Sequence, residues 1–194
     1  MAAGKKNATR RKAWLIFIDE AGFLMAPLVR RSWAPCGQTP ILRQRTRSHQ
    51  KVSIIGALAV SPTREHVRCL FRLHPNENII APLIVAFLRQ LDRHIDAPMT
   101  LIWDRLQGHR GKAVQAFLRT HPTVRSELLP PYAPELNPIE YAWGYLKANP
   151  LANLAPADCA ELTRTARTHV QSLKRNQRVL RSFIQHSPLS LRLK

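Results

Sequence analysis

A short apolar run that ends at two acidic residues constrains the fold of this chain more than any other feature. The run, from Trp14 to Ile18, contains only apolar residues, of which two are β-branched and two are aromatic. An uninterrupted apolar run of this length predicts a strand that is buried on both faces, at the centre of a sheet. Asp19 and Glu20 follow directly, so the sequence predicts carboxylates at the end of a central strand.

Two further segments predict strands that pair with each other. Residues 51–60 and 66–73 are rich in apolar and β-branched residues, and Ser61-Pro62-Thr63 lies between them. A turn at that position predicts an antiparallel hairpin. The preceding residues 21–48 contain three prolines and many arginines, which indicates a loop or small hairpin excursion. Its length is typical of a functional loop.

Helical and strand patterns alternate in the rest of the chain. Apolar residues at helical spacing predict a helix over residues 77–94. The remaining predicted elements are a strand at 99–103, a helix at 112–119, a strand at 124–129, a helix at 137–147 and helical structure over 157–186. This order predicts an α/β fold with a mixed five-stranded sheet flanked by helices, and no domain boundary inside it.

The charge of the chain favours a polyanionic partner. Thirty Lys and Arg against twelve Asp and Glu give a net charge of +18, which points first to nucleic acid and second to an acidic membrane surface. A hydrophobic content of 45% excludes a disordered basic tail. The three cysteines lie far apart without a CxxC, so neither a disulfide framework nor a zinc module is indicated and a reducing cytoplasm is expected. No uncharged stretch reaches the roughly 18 to 20 residues that cross a membrane.

Two aspartates each follow a predicted buried strand. Asp19 follows the first strand, and Asp104 directly follows the apolar segment Leu101-Ile-Trp103. If these strands are neighbours, both carboxylates project from one edge of the sheet, where ligands gather in α/β folds. Two close carboxylates repel each other unless a cation lies between them. Since oxygen ligands suit Mg²⁺ or Mn²⁺, the sequence predicts a divalent-metal site there.

Glu140 is the third candidate ligand, and its position has two interpretations. Asn137 has the character of a helix N-cap, with Pro138 at the first helical position and Glu140 at the third. In a capping box Glu140 would accept the main-chain N–H of Asn137; alternatively it completes the metal site. Glu20 and Glu135 are rival ligands, although strand alternation turns Glu20 away from the face of the first aspartate.

The segment around Glu140 resembles a motif of a known family. The string Pro-Pro-Tyr-Ala-Pro-Glu-Leu-Asn-Pro-Ile-Glu-Tyr-Ala-Trp-Gly-Tyr-Leu-Lys, which ends at Lys147, resembles the third catalytic motif of mariner-type DDE transposases. The likeness is strongest to the bacterial insertion sequence 630 branch. The tract around Asp19 is similar to the first motif, and residues 32–40 resemble the segment that follows it.

The second motif of the family has a counterpart at Asp104. Leu-Ile-Trp-Asp104, with His109 five residues later, resembles it, and the separation of 36 residues from Asp104 to Glu140 is close to the usual spacing. The resemblance covers about residues 13–148. It implies an RNase H-like fold in which an acidic triad of Asp19, Asp104 and Glu140 holds two divalent ions, Mg²⁺ or Mn²⁺.

The resemblance also implies an activity and partners. Members of the family cut double-stranded DNA at transposon ends and join the freed 3′-hydroxyl to target DNA. A homodimer on DNA and a cytoplasmic, nucleoid-associated location are expected. The rival interpretation is an inactive or truncated remnant that acts only as a basic DNA-binding protein.

The expected organisation has three parts. Residues 1–12 form a basic flexible leader, residues 13–150 the catalytic domain with a basic insertion at about 21–48, and residues 151–194 a C-terminal helical extension. Family members normally begin with helix-turn-helix modules, whereas about a dozen residues precede the first strand here. We therefore interpret the chain as the catalytic half alone, with a separately encoded helix-turn-helix protein as a candidate partner.

Several basic residues are candidates for DNA contact. The arginines of the insertion could contact phosphates or form a solvated face; they are Arg30, Arg31, Arg43, Arg45 and Arg47. Arg105 replaces a small or amide residue of the family motif, so it could reach a phosphate or mark an inactive copy. His109 could orient DNA near the site or simply begin a helix. Trp143, on nearly the same helix face as Glu140, is expected in the core.

Overall fold

Five strands build the sheet of this protein. The computed structural model describes residues 11–26, 28–42, 50–189 and 191–194. The strands are β1 (Trp14–Leu24), β2 (Lys51–Val60), β3 (Val67–Pro75), β4 (Met99–Trp103) and β5 (Val124–Leu128). The described residues also form five α-helices, namely α1 (Ala81–Ile95), α2 (Lys112–Thr120), α3 (Ile139–Ala148), α4 (Cys159–Arg175) and α5 (Gln177–His186).

The order of the strands across the sheet is β3-β2-β1-β4-β5. The strands β2 and β3 form an antiparallel hairpin, while β4 runs parallel to both β1 and β5. The predicted mixed five-stranded sheet with helices on its faces is therefore confirmed. The two strands that were expected to carry the aspartates, β1 and β4, are neighbours.

The central strand β1 runs further than its sequence predicts. It pairs with β4 only from Trp14 to Phe17, but it pairs with β2 as far as Leu24. Asp19 therefore lies inside the strand, opposite Gly56 of β2 and two residues beyond the end of the β4 pairing. The prediction that the strand ends at Ile18 is wrong because the β2 ladder continues after the β4 ladder stops.

Alternate residues of β1 face two separate parts of the core. Ile16 and Ile18 pack with the apolar side chains of α1 and α2, whereas Phe17 packs on the other face with those of α3, α4 and α5. This double burial accounts for the uninterrupted apolar run. The helix α1 starts at Ala81, later than predicted, with Pro82 in its first turn, where a missing N–H costs least.

The C-terminal region that was predicted to be helical forms two helices. Asp158 caps α4 by accepting the N–H of Glu161 at 2.7 Å, and Asn176 caps α5 by accepting the N–H of Val179 at 3.1 Å. The second cap separates the two helices. The apolar faces of both helices join the core beneath the sheet, so this region packs directly on β2 and β3. None of the helices in the described part of the chain has the length and apolar character needed to cross a membrane.

The basic insertion begins within β1 and continues as irregular chain. Residues 28–42 contain no helix or strand. Their start is held by Asn153, whose side chain exchanges two hydrogen bonds with the main chain of Arg30, of 2.8 and 2.9 Å. Trp33 is fully exposed in this segment. Residues 43–49 and the leader up to residue 10 lie outside the described residues.

Candidate active site

A cavity of about 380 Å³ lies where β4 ends, and the three predicted carboxylates line it. Its wall contains Asp19 of β1, Asp104 directly after β4 and Glu140 of α3. Parallel pairing of β1 with β4 brings the two aspartates to the same end of the sheet. The loop from Leu129 to Pro134 closes the opposite side.

Asp19 is almost completely buried and has one specific donor. It is 9% exposed, and its Oδ2 accepts a hydrogen bond of 2.8 Å from the indole Nε1–H of Trp143. Burial raises the pKa of Asp19 to about 7, the negative charges of Glu140 and Glu20 raise it too, and the Trp143 bond offsets only part of this. Asp19 therefore titrates near neutrality, as expected of a carboxylate placed where a cation would balance its charge.

Asp104 is exposed to the cavity and is held from behind by His109. The Nδ1 atom of His109 lies 2.9 Å from Oδ1 of Asp104, and its Nε2 atom lies 3.0 Å from Oε1 of Glu20. The ring is 2% exposed and stacks on Trp103, with the two ring centroids 4.4 Å apart. Burial alone would lower the pKa of His109, but the hydrogen bond and charge of Glu20, together with Asp104, raise it. When both ring nitrogens carry a proton, the ring can donate to both carboxylates.

This arrangement shows what His109 contacts within the protein. The ring is enclosed between two carboxylates and a tryptophan, so it supports Asp104, and a role in orienting DNA stays a prediction. Glu20 faces the side of β1 opposite to Asp19, as strand alternation predicts. It binds His109 and does not line the cavity.

Asn137 anchors α3 to the sheet instead of capping the helix. Its main-chain N–H donates to the carbonyl of Pro134 at 2.8 Å, so it is not available for a capping box with Glu140. The side-chain amide donates to the carbonyl of Ile18 at 3.0 Å. The prediction of an N-cap at Asn137 is therefore wrong, and Pro138 precedes the helix. The start of α3 is fixed beside β1, which places Glu140 at the cavity.

Glu140 is the one glutamate in the wall of the cavity among the described residues. Burial raises its pKa, Lys147 opposes the increase, and the charge of Asp104 adds to it. The rival ligand Glu135 is exposed and does not line the cavity. Of the three glutamates considered, the geometry thus favours Glu140.

The donors of the cavity suit a hard divalent cation. Its wall contains three carboxylates and no cysteine or histidine, and oxygen ligands are those that Mg²⁺ and Mn²⁺ prefer. Among the described residues, no three His, Cys, Asp or Glu side chains are close enough to hold one ion between them.

The expected DNA-contacting arginines occupy different surroundings. Arg105 lines the cavity, and its Nε–H donates to the carbonyl of Leu129 at 3.3 Å. Arg31 is exposed, whereas the guanidinium of Arg30 donates to the carbonyl of Ala148, the last residue of α3, at 3.2 Å. Three of the predicted residues lie outside the described residues, namely Arg43, Arg45 and Arg47.

Three residues that organise the cavity were not recognised from sequence. Trp143 was expected only in the core, Asn137 as a cap and Glu20 as a rival ligand. The spacing of three residues from Glu140 to Trp143 places both near one helix face, and that signal could have linked Trp143 to the site. No local signal indicates the partner of Asn137, which lies 119 residues away in the chain.

Comparison with models of known protein families shows to which family the chain belongs. The model of the family described as DDE superfamily endonuclease matches residues 14–163. The chain belongs to the DDE superfamily endonucleases. The match spans β1, β4 and α3 and so includes all three carboxylates of the cavity. No curated protein matches the sequence of this DDE-family chain.

Solved structures of the Mos1 mariner transposase share the fold of this DDE-family chain. The paired-end complex with the left transposon end has a TM-score of 0.66 at 16% identity and covers 96% of this chain. The chain spans 55% of the Mos1 chain in that complex. The catalytic domain of Mos1 alone has a TM-score of 0.60 at 13% identity, with 96% of this chain and 82% of that chain covered. The likeness confirms the predicted RNase H-like fold.

Proposed function

We propose that this chain is the catalytic domain of a mariner-like transposase of the insertion sequence 630 branch. It would cleave DNA at transposon ends and join the freed 3′-hydroxyl to target DNA. The observation that carries the proposal is that the carboxylates of Asp19 in β1, of Asp104 directly after β4 and of Glu140 in α3 line one cavity in a member of a DDE endonuclease family. Mos1 structures with a transposon end and of a strand transfer complex support the same reaction class.

Asp19, Asp104 and Glu140 would hold the divalent ions. Mos1 structures with Mn and with Mg support the choice of metal, and the family resemblance supports two ions. When bound, such a pair activates the attacking hydroxyl, stabilises the leaving oxygen and neutralises charge at the phosphate.

The contribution of the protein to phosphoryl transfer is positioning and electrostatics. His109 holds Asp104 and Trp143 holds Asp19, so each aspartate is oriented by a buried aromatic ring. Arg105 lies in the wall of the same cavity, where its positive charge suits a phosphate of the bound strand. Water attacks the phosphodiester and breaks its bond to the 3′-oxygen, which takes up a proton. The resulting 3′-hydroxyl then attacks a phosphodiester of the target DNA and displaces the 3′-oxygen of the target strand.

Double-stranded DNA is the substrate that the charge of the chain supports. A net charge of +18 favours contact with phosphates, but phosphate contacts carry no sequence information. A helix-turn-helix module would supply recognition of the transposon ends. The resemblance to the family supports a homodimer bound to DNA. It also supports a cytoplasmic location in association with the nucleoid.

The test uses a pre-nicked duplex that carries the inverted repeats flanking the coding sequence. With Mg²⁺ or Mn²⁺ the chain should produce 3′-hydroxyl ends and joined products, whereas Asp104→Ala should yield neither while it still binds DNA. Glu135→Ala is the matched control, because this exposed carboxylate lies outside the cavity, and it should keep full activity. A parent chain that binds DNA but forms no product with either metal would support the binding-only remnant instead.

A further inference from the structure

The indole of Trp143 donates a hydrogen bond to Asp19, the buried carboxylate of the cavity. Its Nε1–H lies 2.8 Å from Oδ2 of Asp19, and the Trp143 side chain is only 3% exposed. A carboxylate is planar, so a donor at one oxygen determines the direction in which the second oxygen faces. The hydrogen bond therefore determines how the second carboxylate oxygen of Asp19 is oriented toward the cavity.

Gly56 provides the space that this bond requires. It lies opposite Asp19 in the antiparallel register of β1 and β2, and paired residues project toward the same face of a sheet. A Cβ atom at position 56 would lie 2.6 Å from Cη2 of Trp143 and 3.2 Å from Cδ1 of Ile139. Glycine within a strand often marks such a close approach. A side chain at this position would push the indole away from Asp19.

The geometry points to Trp143 and Gly56 as a positioning pair for Asp19. Gly56 admits the indole, and the indole holds the Asp19 carboxylate in the orientation that binds a divalent cation in the cavity. The identity of the ligand, Mg²⁺ or Mn²⁺, rests on the proposed function, whereas the hydrogen bond does not. Partners that orient metal ligands typically change metal affinity or activity by about 10- to 100-fold when they are removed.

A purely structural role for Trp143 makes a different prediction. If the ring only fills the core between α3 and the sheet, replacing the indole by another aromatic ring should change stability without a specific effect on metal binding. Trp143→Phe removes the N–H and keeps an aromatic ring. Tyr141→Phe is the matched control on the same helix, since it removes a hydroxyl that bonds the distant carbonyl of His186.

The first measurement is the affinity of the DNA-free chain for Mn²⁺ by calorimetric titration. Trp143→Phe should weaken Mn²⁺ binding by about 10-fold or more, and Tyr141→Phe should leave the affinity unchanged. Gly56→Ala should weaken binding to a similar extent, because it displaces the same indole. Gly144→Ala is its control, since the added methyl group would meet nothing within 4 Å beyond its chain neighbours and the backbone of its own helix, and it should bind Mn²⁺ as the parent does.

The second measurement detects the bond without metal or activity. In the metal-free parent, the indole N–H resonance of Trp143 should exchange slowly with solvent, and it should shift in Asp19→Asn and in Gly56→Ala. A combination of Trp143→Phe with Gly56→Ala should bind Mn²⁺ no more weakly than the worse single variant, because both changes remove one interaction. Should Gly56→Ala fail to fold, the Mn²⁺ affinity of Trp143→Phe and the shift of the indole resonance in Asp19→Asn still test the positioning role of Trp143.

The outcomes separate this inference from the proposed function. A parent that binds Mn²⁺, together with a Trp143→Phe variant of equal affinity, would overturn the positioning role and leave the proposed function standing. An indole resonance that does not respond to Asp19→Asn would overturn it as well. A parent that binds no Mn²⁺ would overturn the proposed function and the metal-binding role of the pair, even if the indole responds. A Mn²⁺ affinity lowered in Trp143→Phe and Gly56→Ala but not in their controls would support the inference.

Discussion

The imidazole of His109 lies 3.0 Å from the carboxylate of Glu20, a residue 89 positions earlier in the chain. This contact connects β1 to the segment that follows β4, because the other ring nitrogen of His109 lies 2.9 Å from Asp104. Asp19 and Asp104 are thus supported from opposite faces of the sheet, one by an indole and the other by an imidazole.

Glu20→Gln should lower the pKa of His109. The hydrogen bond and charge of Glu20 are the largest influences that raise this pKa, and without them the opposing effect of burial gains weight. NMR titration of the histidine rings measures the change directly. His121 is an internal control, because its nearest carboxylate belongs to Asp92, 3.9 Å away. An unchanged His109 pKa would show that the Glu20 contact is not present in solution.

The metal-free protein should lose stability as the pH rises from about 4 to about 7. The folded chain holds a proton on Asp19, whose pKa is raised to about 7, whereas the unfolded chain releases it near pH 3.9. The folded state binds more protons across this window, so the free energy of unfolding falls with rising pH. Across this window the free energy of unfolding should fall by an amount on the order of 4 kcal/mol, at about 1.4 kcal/mol per pKa unit. The raised pKa values of His109 and Glu140 act in the same direction.

Asp19→Asn tests this pH dependence because it removes the ionisable group. The variant should be more stable than the parent at pH 8, with a flatter dependence on pH, in urea unfolding with a chelator present. A parent that is more stable at pH 8 than at pH 5, and a variant with the same slope, would contradict the assignment of the buried charge to Asp19.

Divalent metal should stabilise the fold through the cavity carboxylates. A ligand that binds only the native state at 100 times its Kd adds about 2.7 kcal/mol, which raises the Tm of a domain of this size by roughly 5 to 10 °C. Asp104→Ala should abolish the shift, because it removes one of the carboxylates that would bind the ion. Glu135→Ala should keep the full shift. Thermal unfolding with Mg²⁺, Mn²⁺ or chelator provides the measurement, and an unchanged response in Asp104→Ala would exclude this residue as a ligand.

DNA binding should depend steeply on salt and little on sequence. Each phosphate contact contributes about 0.9 to the slope of log affinity against log salt, so Arg105→Ala should reduce the slope by about that amount. Arg93→Ala, an exposed substitution in the last turn of α1, should have a smaller effect. Fluorescence anisotropy with labelled duplexes over a series of salt concentrations measures both. If the chain alone bound one short sequence thousands of times more tightly than random DNA, the expectation that its binding rests on phosphate contacts would be wrong.

The sequence predicted the strands and helices well where local periodicity carries the information. The apolar run from Trp14 to Ile18 predicted a doubly buried strand, and β1 is central with both faces covered. The end of that strand could not be predicted, because β1 continues only where β2 pairs with it. The break at Asn176 was missed for a related reason, since the flanking segments are both helical and one side-chain cap separates them.

The three carboxylates of the candidate site could be predicted from the sequence, but the contacts that support them could not. Acidic residues that follow buried strands or open a helix are visible in the sequence, and these three share one cavity. The contact of Asn137 with Ile18 and that of Trp143 with Asp19 join residues 119 and 124 positions apart. Such contacts depend on how α3 packs on the sheet, which no local pattern records.

The most direct test of the account is the position of Mn²⁺ in a crystal of this chain, located by anomalous diffraction. We expect Mn²⁺ peaks in the cavity, bound by carboxylate oxygens of Asp19, Asp104 and Glu140. Mn²⁺ bound instead by Glu20 or Glu135, with Glu140 turned away from the cavity, would contradict it.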